Sequence, residues 1–214
     1  MSRLATISAS LAALLAAAPA YAIQTRAPAP ATPSSVKVET VARGLVHPWG
    51  LQFLPDGRLL VTERPGRLRV VTKDGKLSEP IAGVPAVAAS GQGGLLDVAL
   101  SPDFATSKVI FFSYAEPRDA GKNGTSVARA VLNLSDNGGG RLDDVRVIYR
   151  QQPSYASSAH FGSRIVFARD GSLYITQGVR YSAREEAQNP GNDLGKVVRV
   201  MPDGAPFAGN PKLP

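Results

Sequence analysis

From residue 36 onward, short apolar runs alternate with turn signals built on Asp-Gly or Pro-Asp. Trp49 to Leu54 leads into Pro55-Asp56-Gly57 and then Leu59-Leu60-Val61-Thr62, which predicts strand, tight turn, strand. Arg67 to Thr72, Lys73-Asp74-Gly75 and Lys76-Leu77 predict a second hairpin and complete a four-stranded antiparallel meander. The pattern recurs. Leu96 to Leu100 leads through Pro102-Asp103 to Val109–Tyr114, and Ile165 to Phe167 leads through Asp170-Gly171 to Leu173–Thr176. Lys196 to Met201, followed by Pro202-Asp203-Gly204, repeats the second hairpin of the first unit. The aspartates at 56, 103 and 170 are about 47 and 67 residues apart. The longer interval holds a Gly- and Asn-rich loop, Asp136 to Gly140, and the segment Pro153 to Ala159. No amphipathic helix stands out.

Four-stranded units recurring at this spacing predict an all-β fold, a β-propeller over residues 36–214. A β-sandwich has similar hairpins but does not require the same pair to recur in order. About three blades fit, against four to eight in closed propellers. The expectation is a part of a longer propeller, or an arc whose open strand edges self-associate with another copy.

The first residues follow a different pattern. Arg3 precedes an apolar run from Leu4 to Ala18, Pro19 breaks it, and Ala20-Tyr21-Ala22 has the small-x-small form of a cleavage site. Residues 1–22 therefore read as an export signal, whose apolar run of about fifteen residues is too short for a membrane span. Pro28, Pro30 and Pro33 make residues 23–35 an extended Pro/Ala-rich linker. The mature product is expected to be periplasmic or secreted.

Composition narrows the function. Zero Cys rules out disulfide scaffolds, thiolate catalysis and Cys-ligated metals, and two His rule out a three-His metal site. The net charge of +7 comes from scattered Arg and Lys, so no basic stripe for nucleic acid is expected.

His160, in Ala159-His160-Phe161-Gly162-Ser163-Arg164, is the leading candidate residue. It precedes an inner strand, where propellers bind ligands, and imidazole is the natural general base near neutral pH. A hydrogen-bonded loop histidine is the competing reading. His47, in His47-Pro48-Trp49-Gly50, reads as structural, with Trp49 packing between blades. Gly91-Gln92-Gly93-Gly94-Leu95-Leu96-Asp97 fits neither nucleotide fingerprint. It reads as a turn of close backbone approach, from which Gln92 can present an amide to a polar cofactor. Asp143-Asp144 lacks the spacing of a calcium loop and reads as a solvated hairpin end.

Taken together, His47–Leu51, Leu54-Pro55-Asp56-Gly57 and Val61–Arg67 resemble the first blade of the soluble quinoprotein aldose sugar dehydrogenases, the glucose/sorbosone dehydrogenase family. Gly91–Asp97 with Pro102-Asp103-Phe104 resembles its second blade. His160–Arg164, Asp170-Gly171 and Gly195–Arg199 resemble its third. The resemblance implies a six-bladed propeller that holds pyrroloquinoline quinone (PQQ) with calcium, oxidises aldoses to lactones and passes electrons to an external acceptor. It places the catalytic base on His160 and a cofactor contact on Gln92. Two departures stand out. Gln177-Gly178-Val179-Arg180 carries Val179 where the family has an aspartate that orients the histidine. The later positions of the family, which supply calcium ligands and further cofactor clamps, have no counterpart here, so no metal residue is assigned. The alternatives are a non-catalytic propeller segment acting as a binding or assembly module, and a calcium-dependent lactonase, for which no acidic cluster is evident.

Overall fold

A computed structural model describes residues 32, 35–135 and 138–211. The expected export signal at 1–22 and nearly all of the expected linker at 23–35 lie outside the described residues. Among the described residues no helix is long and apolar enough to cross a membrane.

The Asp-Gly turns reverse the chain where the sequence places them. At Leu54–Arg58, Leu54 N–H donates to the Arg58 carbonyl and Gly57 N–H to the Leu54 carbonyl. Ala168–Ser172 makes the same two bonds with Gly171 in the corresponding place. These turns join β1 (Pro48–Phe53) to β2 (Leu59–Glu63), and β8 (Gly162–Phe167) to β9 (Leu173–Gln177). With β3 (Arg67–Val71) and β10 (Val197–Val200) they form two three-stranded antiparallel sheets, ordered β1-β2-β3 and β8-β9-β10. Between them in sequence, β4 (Leu95–Leu100), β5 (Val109–Pro117), β6 (Asn123–Leu134) and β7 (Gly140–Arg150) form a four-stranded antiparallel sheet.

Two expected features differ. The fourth strands at Lys76-Leu77 and after Gly204 shrink to single bridges, Val71 to Leu77 and Val200 to Pro206. Pro80 and Pro206 lack the N–H that a continuing ladder needs. In the first sheet Ser78 and Ile81 N–H instead reach the carbonyls of Val70 and Leu68. Pro102-Asp103 opens a one-turn helix, α1 (Phe104–Ser107), rather than a tight turn, and Phe104 is buried beneath it.

The three sheets repeat one device. The first strand of each is bulged near its start, between Pro48 and Leu51, Leu95 and Val98, and Gly162 and Ile165. In each bulge a backbone N–H donates to a hydroxyl on the second strand: Gly50 to Thr62 Oγ1 (2.8 Å), Asp97 to Ser113 Oγ (2.9 Å) and Arg164 to Thr176 Oγ1 (3.0 Å).

Strand alternation gives each sheet two faces. Ile110 and Phe112 on one face of the middle sheet pack with Leu60, Leu68 and Val70 of the first. Phe111 and Val127 on its other face pack with Ile165, Leu173 and Ile175 of the third. The first strands lie side by side, β1 against β4 and β4 against β8. The far faces of the flanking sheets stay open, with Leu51 and Phe53 exposed on one and Val166 and Val197 on the other.

Candidate active site

Because the first strands are neighbours, the residues at their starts meet. Trp49 at the start of β1, Gln92 and Leu96 around the start of β4, and His160 before β8 line one cleft of about 290 Å3, with Arg64 beside them. Gln92 and His160, 68 residues apart in sequence, are directly bonded: Gln92 Oε1 accepts the His160 backbone N–H at 2.8 Å. Gln92 N–H donates to the Ser158 carbonyl at 2.7 Å, so this residue fixes the loop that carries His160. The Gln92 Nε2 donors have no partner among the described residues.

The imidazole of His160 is exposed, with the ring of Tyr181 edge-on at 5.4 Å. No described residue hydrogen-bonds it. Val179 is apolar, lies against Gly195 and offers it no acceptor. The His160 backbone is left-handed (φ 50°). Such strain in a non-glycine residue persists only where its surroundings over-determine it.

Arg64 donates from Nη1 to the Gly91 carbonyl and has no carboxylate partner among the described residues. Arg164 stands 5.5 Å over the Trp49 ring while its Nη1 donates to Asp97 Oδ1 at 2.8 Å. Asp97 is buried, and its other oxygen accepts the Ile165 N–H at 2.8 Å. Burial pushes the Asp97 carboxyl above its ordinary value, against the downward pull of Ile165 N–H and Arg164.

The glycine cluster serves close approach. Gly94 has φ 136°, and a Cβ there would overlap the Arg64 carbonyl; one at Gly91 would meet the Ser158 carbonyl at 2.5 Å. Gly94→Ala is therefore expected to cost at least about 1–3 kcal/mol, read as a lower urea midpoint with unchanged slope.

Three sequence expectations need correction or placement. Trp49, expected between blades, is 38% exposed at the cleft, where Arg164 of the third sheet stands over its ring. Trp49 and Arg64 were both missed as site residues. Their only signal was position, at the start of an inner strand and just after its partner. The His47 backbone carbonyl accepts the Arg64 N–H. Asp143 and Asp144 lie within β7 rather than at a hairpin end, paired with Arg141 and Arg146. Among the described residues no three His, Asp or Glu side chains gather as a metal site. A second hollow of about 370 Å3, at the other end of β1, has walls at Arg58 and Lys108. Arg58 is paired with Asp56, and Lys108 donates to the Ala105 carbonyl.

Residues 45–214 match the family described as Glucose / Sorbosone dehydrogenase. The chain belongs to that family. Aldose sugar dehydrogenase YliI of Escherichia coli is 44% identical over 183 residues, covering 83% of this chain and 48% of the relative. The apo-form structure of the soluble aldose sugar dehydrogenase from Escherichia coli matches with a TM-score of 0.77, over 83% of this chain and 50% of that one. The PQQ-bound aldose sugar dehydrogenase from Streptomyces coelicolor is 33% identical, with a TM-score of 0.71 over 82% and 50% of the two chains. This member of the glucose/sorbosone dehydrogenase family thus spans about half the length of the relatives it matches.

Proposed function

We propose that this chain forms the histidine-bearing side of a PQQ-dependent aldose sugar dehydrogenase site, in which an aldose is oxidised at its anomeric carbon to a lactone. The observation that carries the reading is the meeting of His160, Gln92, Arg64 and Trp49 in one cleft at the starts of three first strands, in a chain similar to a PQQ-bound relative. PQQ is a planar, polycarboxylated ring. The cleft offers what such a ring needs: a guanidinium without a carboxylate partner, free amide donors and an indole. Arg64 would hold a carboxylate of the ring, Gln92 a polar edge, and Trp49 a face. When bound, the quinone supplies the two-electron acceptor.

His160 then serves as general base, taking the proton of the anomeric hydroxyl onto a ring nitrogen. Gln92 fixes the backbone from which the ring projects. An external acceptor reoxidises the cofactor. No acidic cluster among the described residues suits calcium, so no role is derived for it. The three sheets read as successive propeller blades. Their shared bulge supports this, as do the apolar faces at Phe53 and Val166, which neighbouring blades would cover. The signal-like segment over residues 1–22 supports a periplasmic or secreted location.

The test uses the protein's single tryptophan. Trp49 lies in the cleft, so titration with PQQ is expected to quench its fluorescence saturably, and Arg64→Met to weaken binding about tenfold. Saturable quenching with no aldose-dependent dye reduction would favour the binding-module reading. No quenching would sink the cofactor assignment.

A further inference from the structure

Arg180 is fully buried, and it has no carboxylate partner among the described residues. Its Nε and Nη1 meet no acceptor, and burial pulls its pKa down to about 10. Burying an unpaired cation is costly, so what the side chain holds is informative. Every contact of the guanidinium runs to the loop carrying His160 or to β6 beside it. The guanidinium lies 3.7 Å from the centroid of the Phe161 ring. Nη2 donates to the Ser157 carbonyl and to Asn123 Oδ1, the latter at 2.6 Å. The backbone completes the clamp: Arg180 N–H donates to the His160 carbonyl (3.2 Å), and Ser157 Oγ donates to the Arg180 carbonyl (2.9 Å). Arg180 and Tyr181 are both left-handed, with φ 53° and 64°, and Tyr181 follows directly to set its ring edge-on to the imidazole.

We propose that Arg180 is a positioning residue that fixes the 157–161 loop from below and so sets the direction of the His160 imidazole. Its relevance to catalysis rests on the reading of His160 as the base; its structural content does not. The loop is gripped on both sides of His160, at Ser157 and at Phe161, by one planar cation. Lysine cannot both stack on the ring and reach two acceptors. The imidazole itself makes no hydrogen bond to a described residue, so its direction comes from the backbone beneath it and from Tyr181.

The experiment is side-chain NMR on the full chain. Two histidines give two imidazole Cε1–H signals, and His47 serves as internal reference. In Arg180→Met the His160 signal is expected to shift and broaden while that of His47 stays in place, with Arg180→Lys failing to restore it. Ser157→Ala, which removes one bond of the clamp and the acceptor of the Ala159 N–H, should move the His160 signal less and in the same direction, with Ser157→Thr, which keeps the hydroxyl, leaving it in place; this pair carries the test if Arg180→Met does not fold. A His160 signal unmoved in folded Arg180→Met or Ser157→Ala overturns the proposal. The readout needs neither quinone nor sugar, so failure of aldose oxidation would count against the catalytic reading alone.

Discussion

His160→Ala is expected to lower PQQ-dependent aldose oxidation by about 10²–10⁴-fold, the range lost when a positioned general base is removed. The loss should fall on kcat, because under the proposed function the imidazole would act on the proton in flight rather than on sugar binding. Quinone affinity should change little, since Arg64, Gln92 and Trp49 remain and the Gln92 bond is to the His160 backbone N–H, which alanine keeps. The measurement is dye reduction with aldose at saturating PQQ, alongside Trp49 quenching. Equal activity in the two proteins would remove His160 from the mechanism. Val179→Asp is the informative companion: an acceptor near the loop that raised turnover would show that the unsupported imidazole limits the rate.

The largest effect on stability is expected at Asp97. Its carboxylate ties the second sheet to the third by accepting from Arg164 Nη1 and from the buried Ile165 N–H. The Arg164 side chain is 55% exposed, so water takes over its charge when the partner goes. The orphaned amide of Ile165 has no such relief. Asp97→Ala should therefore cost about 2–4 kcal/mol, mostly from that unsatisfied donor and the lost charge-assisted bond. Asp97→Asn keeps an acceptor for the amide and removes a charge that burial disfavours, so its cost should be nearer about 1 kcal/mol. Urea unfolding of both variants checks the ranking; equal losses would mean that the charge matters rather than the acceptor. The sign with pH is also fixed. Because the folded-state carboxyl is raised above 3.8, the folded protein takes up this proton before the unfolded chain does. Asp97 therefore adds stability as the pH falls through its folded value toward 3.8, and Asp97→Asn removes that contribution.

Much of the fold was legible because its signals are local. The Asp-Gly turns at Gly57 and Gly171 demand a positive φ, and both have it. The reading of four strands per unit holds in the middle sheet and overshoots in the two flanking ones, where Pro80 and Pro206 lack the N–H that the outer ladder needs. Pro102-Asp103 became a helix turn because five residues separate Asp103 from β5, more than a tight turn holds. The placing of His160 and Gln92 at strand starts was legible in motif and strand position, and both line the cleft. Their bond was not, because it depends on how one sheet registers against the next. Trp49 and Arg64 were read as packing and as part of a string, since exposure at a shared cleft is not encoded in either neighbourhood. Asp97 gave no sign of its inter-sheet role for the same reason.

The hydroxyl that fills each inner-strand bulge makes the three sheets natural replicates. Thr62, Ser113 and Thr176 each accept the bulge N–H on a second-strand hydroxyl, and Thr62 Oγ1 also donates across to the Leu96 carbonyl, so a hydroxyl deletion at each tests one shared bond in three settings. Differences among the three outcomes then report on the surroundings: the further Thr62 bond to the neighbouring sheet, a middle sheet covered on both faces, and two flanking sheets each covered on one. The protein carries its own internal control for separating what a contact contributes from what its surroundings contribute.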